Sequence, residues 1–310
     1  MANAIVIRNF RWEDTDNIVN FLNIARGQSG TPNEESKLLF TQRFNMPGIN
    51  PLNDCFIAES NGNPTGYIQV IHEGSLSRTV GSQTIPKTDD REAIYKLLSN
   101  VAIKHSIKKG ASLYHIQVDD DDAQLIDILK ADGFKQVKSY FNLLWEENFL
   151  AKLELPQGFS LRTFQHNKDE VLLTNLQNTS FYNSWGFSPN TVEEIRARVR
   201  MERCEADGII FIEDQGYTAG YNWTLSQKTK GRSLGWISMT GVDPAYRGRK
   251  LGKAIVLAGM HYLKAKNIPQ IALEVDSDNF VAYNLYNQLG FKITARTLWF
   301  EKPLDEYNFR

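Results

Sequence analysis

Between residues 241 and 260 the chain reads GVDPAYRGRKLGKAIVLAGM, and Arg247, Arg249, Lys250 and Lys253 crowd two glycines just ahead of an apolar, helix-like run. A helix start already carries unsatisfied N–H groups and the positive end of the helix dipole, so it favours acidic side chains. Cations there make sense around an anion. Backbone N–H groups across Gly248, Leu251 and Gly252 form a phosphate site, glycine letting the ligand approach closely. Arg and Lys add charge-assisted bonds. A charge run alone reads as a solvated helix flank. Pro244, Gly248, Gly252 and a strand–loop–helix setting favour the anion, with pyrophosphate as the occupant that fits. Neither G-x-x-x-x-G-K-[ST] nor G-x-G-x-x-G occurs, which excludes a P-loop NTPase and a dinucleotide fingerprint.

Other residues invite chemistry. Gly241, inside the preceding strand GWISMTGV, marks a bulge, a close ligand approach or a packing contact. Glu274 interrupts the apolar strand IALEV, where alternation sets it on one face with Ala272. A buried carboxylate there is either a paired structural group or a chemical one. Glu213 and Asp214 are rival carboxylates. The aromatic segment NTSFYNSWGFSP offers Phe181, Tyr182 and Trp185 to stack on a substrate or to pack helices, and the same two readings apply to Tyr221 and Trp223. GRSLG at 231–235 matches G-x-S-x-G, but a strand follows it, so it reads as a hairpin turn. None of the five histidines pairs with another His or a Cys at ligand spacing, and no metal site is expected.

The elements that must hold these residues occur twice. VIRNFRWEDTDNIVNFLN (6–23) matches SLRTFQHNKDEVLLTNLQ (160–177), FIAESNGNPTGY (56–67) matches FIEDQGYTAGY (211–221), and QVDDDDAQLIDILKADGFK (117–135) matches EVDSDNFVAYNLYNQLGFK (274–292). Gly133 and Gly290 differ by 157 positions, Arg8 and Arg162 by 154. Near-constant offsets mean two copies of one domain, 1–150 and 155–310, joined near ENFLAKLELPQG. Each copy reads as strand, helices, an antiparallel meander, a long helix, strand, helix and strand. Asp278 or Asn279 is placed to cap the second helix of copy two, and Gly290 to end it.

VDPAYRGRKLGKAI followed by LEVDSDNFVAYNLYNQLGF resembles the GNAT superfamily of acyl-CoA-dependent N-acetyltransferases. The family loop, Arg/Gln-x-x-Gly-x-Gly/Ala, holds the coenzyme A pyrophosphate; counted from Arg249, RKLGKA matches it literally with Gly252 and Ala254, and counted from Arg247, the register preferred because DPAYRG then aligns, Lys250 takes the first glycine's slot and Gly252 the second. The downstream pattern is met by Asn279, Ala282, Leu285, Tyr286, Gly290 and Phe291. The resemblance implies an α/β fold of two tandem GNAT domains, each a mixed, mostly antiparallel sheet flanked by helices. It also implies acetyl-CoA as donor, a primary amine on a small molecule or peptide as acceptor, and direct transfer in the C-terminal domain. Met239, Gly241 and Val242 would line the pantetheine arm, and Asn279 the coenzyme. Tyr286 would be the general acid, a phenol of pKa about 10 suiting a thiolate whose acid lies near about 8.5. Glu274, twelve positions earlier, would be the base, as in the ribosomal-protein N-terminal acetyltransferases. A non-catalytic acyl-CoA sensor, or a transferase using another acyl-CoA, is the alternative.

In copy one Glu274 corresponds to Gln117, Tyr286 to Leu129 and Arg247 to Asp90, and the stretch QTIPKTDDREAIY holds no glycine. That copy keeps the scaffold without the chemistry, a layout similar to mycothiol synthase.

The whole chain narrows the setting. Across 310 residues, 42% are apolar, 23% charged and the net charge is −1, which gives no electrostatic case for nucleic acid or an anionic membrane. Two distant cysteines fit a reducing compartment. The opening MANAIVIRNFRWED has no secretory leader pattern, and no apolar run nears the roughly 20 residues that span a bilayer. The expectation is a cytoplasmic protein of unspecified oligomeric state.

Overall fold

The computed structural model describes residues 4–28, 35–147, 149–229 and 232–304. In chain order the elements are β1 (Val6–Asn9), α1 (Thr15–Gln28), α2 (Lys37–Phe44), α3 (Pro51–Asp54), β2 (Cys55–Ser60), β3 (Asn63–Glu73), β4 (Arg78–Thr84), α4 (Arg91–Lys108), β5 (Leu113–Asp119), α5 (Ala123–Ala131) and β6 (Lys135–Trp145). There follow β7 (Phe159–Thr163), α6 (Glu170–Phe181), α7 (Val192–Arg198), β8 (Ile209–Asp214), β9 (Tyr217–Thr229), β10 (Arg232–Val242), α8 (Leu251–Ala265), β11 (Gln270–Asp276), α9 (Phe280–Gln288) and β12 (Lys292–Pro303).

By contact the chain divides into two units, Met1–Lys138 with Thr297–Arg310, and Ser139–Arg296. The divisions fall inside β6 and β12 rather than in the linker between the repeats. Unit 1 orders its strands β1-β2-β3-β4-β5 and then residues 297–303 of β12, with Thr297 opposite Asp119 and Pro303 opposite Leu113. Unit 2 begins with residues 140–145 of β6, with Trp145 opposite Ile271, and continues β11-β10-β9-β8-β7. The last strand of each repeat thus closes the sheet formed by the other. Pairing is antiparallel except for β4 with β5 and β10 with β11, so each unit is the expected mixed, mostly antiparallel sheet with helices against it.

In unit 2, strand alternation sends successive residues to two helical layers. Ile209 and Phe211 of β8 join Leu173 and Leu176 of α6 and Ile195 of α7 in one core cluster. Ile210 and Ile212 join Leu251, Ile255 and Ala258 of α8 in another. A further cluster puts Val256, Leu257 and Met260 of α8 with Leu273 and Val275 of β11 and Leu143 and Trp145 of β6. Helix α8 has no side-chain cap at its start, where Lys250 is left-handed. A missing cap costs about 1 kcal/mol, whereas burying Ile255, Val256 and Leu257, each at 2% exposure or less, is worth roughly 1.5–3 kcal/mol apiece. Packing therefore decides that helix. GRSLG sits at a hairpin: Ser233 and Gly235 lie inside β10 opposite Lys228 and Ser226, and Gly231 falls outside the described residues.

Candidate functional site

Strand β10 positions the site by leaving its neighbour. Its parallel register with β11 covers Leu234, Trp236 and the residue between them, opposite Gln270 to Ala272. A bulge between Ile237 and Met239 then shifts its register against β9. A bulge turns a strand and increases its local twist. From there to Val242, β10 pairs with β9 alone among the described strands. Its other edge presents peptide groups suited to an extended, amide-bearing ligand.

The chain next passes through a short turn at Pro244–Tyr246 into α8. Gly248 and Lys250 both take positive φ, 81° and 63°. Lys250 thus holds, with a Cβ, a left-handed conformation that glycine adopts at no steric cost. The start of α8 carries no acidic residue in its first turn. At Gly252 an added Cβ would meet only Leu285 Cδ2, at 3.6 Å, so the protein itself leaves room there.

These features open on a cavity of about 1070 Å³ within unit 2. Gly241, Val242, Arg247, Gly248, Lys250, Leu251, Gly252 and Lys253 line it, as do Asn279 and Tyr286 of the predicted set. Among the described residues, none that lines it is acidic. Asn279 also caps α9 by accepting from the Ala282 N–H at 3.1 Å. Arg249 and Met239 are not among the lining residues. The Arg249 guanidinium lies 4.7 Å from the Tyr246 ring centroid, and the Met239 side chain packs under α6 and α7. Arg247 donates from Nη2 to the Ser180 carbonyl at 2.8 Å.

Tyr286 is buried at 9% exposure. Burial pushes its phenol up to about 12, and a hydrogen bond from Thr240 pulls the other way. The Thr240 hydroxyl accepts from Asn222 Nδ2 at 2.8 Å. A donor beside the phenol oxygen favours the phenolate, which is why Thr240 acts against burial here. The sequence reading missed Asn222 and Thr240; the signal was an asparagine in the apolar run AGYNWTL. Gly259 of α8 makes room for it, since a Cβ there would sit 2.1 Å from Asn222 Oδ1.

Several expectations need correction. Glu274 is exposed, not buried: Ile271, Leu273 and Val275 take the face against α8 and α9, and Glu274 turns the other way, opposite Asn142 of β6. Tyr221 and Trp223 are 0% and 4% exposed and belong to the core under α6 and α7 rather than to a substrate wall. A central strand with helices on both faces buries its aromatics on either side. Trp223 Nε1 donates to Cys204 Sγ at 3.2 Å. Of the aromatic segment, Phe181 lines the cavity and stacks on Phe187, 6.1 Å between centroids. Tyr182 is exposed and Trp185 half-buried, both outside the lining. The wall beside Phe181 is instead made by Thr179, Ser180, Asn183 and Ser184. Gly241 is fixed by packing as well as by access, because its Cβ would lie 2.6 Å from the Tyr221 ring and 2.8 Å from Ser180 Oγ.

Unit 1 treats the equivalent place differently. Arg91, the first residue of α4, is buried and holds Asp122, the cap of α5, through two bonds of 2.6 and 2.5 Å. Burial opposes the Asp122 carboxylate, and the Arg91 guanidinium outweighs it, holding the carboxyl below its ordinary range. Gln117 is exposed on β5 and Leu129 is core. Among the described residues no group of His, Cys, Asp or Glu converges to hold a metal ion, and no helix is long and apolar enough to cross a membrane.

Residues 171–291 match the model of the Acetyltransferase (GNAT) family. That segment is a GNAT acetyltransferase domain. It runs from α6 to the end of the loop after α9, so it contains the whole cavity. Acetyl-CoA is the acetyl donor of GNAT enzymes. Among curated relatives, a mycothiol acetyltransferase of Amycolatopsis mediterranei is 28% identical over 237 residues, spanning 71% of this chain and 70% of the relative. One of Thermobispora bispora is 33% identical over 141 residues, spanning 44% and 48%. The chain thus matches between about half and seven-tenths of these relatives' length. Among solved structures, a GCN5-related N-acetyltransferase from Sphaerobacter thermophilus superposes with a TM-score of 0.75 at 17% identity, over 97% of this chain and 96% of that one. A tandem GNAT protein from the clavulanic acid biosynthesis pathway gives 0.75 at 15%, over 98% and 100%. At such identities these two carry the fold alone, and they carry it across both repeats.

Proposed function

We propose that this chain is an acetyl-CoA-dependent N-acetyltransferase that acetylates a primary amine, with the chemistry in the C-terminal repeat. One observation carries the reading: the cationic start of α8, the unpaired edge of β10 and the buried Tyr286 phenol meet in a single cavity with no acidic lining. When bound, acetyl-CoA supplies an activated acetyl group on a thioester. The N–H groups at the start of α8, with Lys250 and Lys253, suit its pyrophosphate. The free edge of β10 from Met239 to Val242 suits its amide-bearing arm.

Acid and base fall on different faces of unit 2. Tyr286, buried in the cavity wall and so kept protonated, is the proposed donor to a departing thiolate. Glu274 lies outside the cavity lining, on the other face of β11; its proposal as the base rests on the sequence resemblance alone, and Glu274→Gln tests it. The wall of Thr179, Ser180, Asn183 and Ser184 offers hydroxyls and an amide without a carboxylate. That favours a small polar molecule with a single amine over a polycation. The relatives' names make amines of the mycothiol type the first acceptors to try.

The test is acetyl-CoA-dependent release of free thiol across a panel of amino sugars, amino acids and polyamines. Turnover on at least one amine is expected, lowered about 100-fold or more in Tyr286→Phe and in Glu274→Gln. Binding of coenzyme A without turnover on any amine would leave an acyl-CoA sensor as the function.

A further inference from the structure

Arg247 opens the basic loop, and a phosphate clamp is the role its charge first suggests. Two of its donors are engaged within the protein. Nη2 donates to the Ser180 carbonyl at 2.8 Å and Nε to the Val242 carbonyl at 3.4 Å. Ser180 lies in the last turn of α6, where carbonyls have no helical partner and a cation complements the dipole. The bond ties together residues 67 positions apart and so joins two walls of the cavity: the end of α6 with Asn183 and Ser184, and the loop that runs into α8. Between them lies Gly241, where nothing larger fits against Ser180 Oγ. That hydroxyl is itself buried with no hydrogen-bond partner. A small outward shift of α6 would widen the cavity and expose a polar group now held beside β10.

We infer that Arg247 is a positioning residue: it holds the Ser180 end of α6 against the loop, so that the loop meeting the donor also sets the acceptor wall. Phosphate binding is left to the helix start and to Lys250 and Lys253. The inference rests on reading the cavity as a coenzyme A site, but its structural half stands without that reading.

Two measurements on the full chain test it, with wild type, Arg247→Ala and Arg247→Lys compared. Amide hydrogen exchange without ligand is expected to quicken about fivefold or more across residues 178–184 in Arg247→Ala, with the global melting temperature unchanged and partial recovery in Arg247→Lys. Calorimetric titration with coenzyme A is expected to find Arg247→Ala within about threefold of wild type, while Lys250→Ala weakens about tenfold. Unchanged exchange at 178–184 overturns the inference. So does a tenfold loss of coenzyme A affinity with unchanged exchange, which assigns Arg247 to the phosphates. If wild type binds no coenzyme A, the parent reading fails and exchange alone decides the brace.

Discussion

Lys250 combines two demands that pull apart. Its left-handed backbone, φ 63°, costs a residue with a Cβ about 1 kcal/mol relative to glycine, while its ammonium lines the cavity. Lys250→Gly should therefore keep or slightly raise the melting temperature and still weaken coenzyme A several-fold by calorimetry; unaltered affinity would mean the charge is idle. Tyr286 makes a pH prediction. A neutral acid donates only below its pKa, and burial has pushed this one up to about 12. Its proton stays in place through the ordinary alkaline range and is lost only as pH rises through that value. The wild-type kcat profile should accordingly show no fall owed to Tyr286 below about pH 10. A fall near pH 8 that disappears in Tyr286→Phe would contradict that environment. At this scale the sequence was informative about local structure: Asn279 caps α9, Gly290 takes the positive φ that ends it, and Tyr286 lines the cavity. It misled where burial mattered. Alternation assigned Glu274 a face but could not say whether anything covered it. Tyr221 and Trp223 looked like Phe181 until the helices over β9 were in place.

The bulge in β10 and the exchange of β6 and β12 are the two features of elements that build the site. Neither was marked in the sequence: the bulge falls between Ile237 and Met239, whereas Gly241, which the sequence offered as a bulge, pairs in regular register with Tyr221. A repeat reports which segments are copies; it does not report which sheet the last strand of each copy joins, because both copies carry the same alternation. The exchange has a direct consequence for dissection. A chain of 155–310 would lack Leu143 and Trp145, each at 1% exposure or less in the core of unit 2, and would open the edge of β11. Losing them costs roughly 2–5 kcal/mol for Leu143 and roughly 3–5 kcal/mol for Trp145 against a typical stability of about 5–15 kcal/mol. That fragment should give no cooperative thermal transition by circular dichroism. A sharp melt at the temperature of the full chain would refute the strand exchange.

Across the molecule, one scaffold occurs twice and the proposed anion site in one copy. In unit 2 the helix start faces a cavity with cations and no acid; in unit 1 the equivalent start is taken by the Arg91–Asp122 pair. The two-domain layout was legible from offsets near 157, whereas the internal ion pair that fills the unit 1 position was not, since Arg91 and Asp122 lie 31 residues apart. Unit 1 is therefore expected to bind no coenzyme A. The most direct test of the whole account is calorimetric titration of coenzyme A into the full chain and into Gly252→Ala. A methyl at 252 meets only an ordinary contact within the protein, 3.6 Å to Leu285, and alanine is the better helix former by up to about 1 kcal/mol, so this variant should melt no lower than wild type. The account predicts one coenzyme A per wild-type chain and binding at least about tenfold weaker in Gly252→Ala, because the methyl stands where the pyrophosphate must approach. Two equivalents per chain, no binding to wild type, or equal binding to the variant would contradict it.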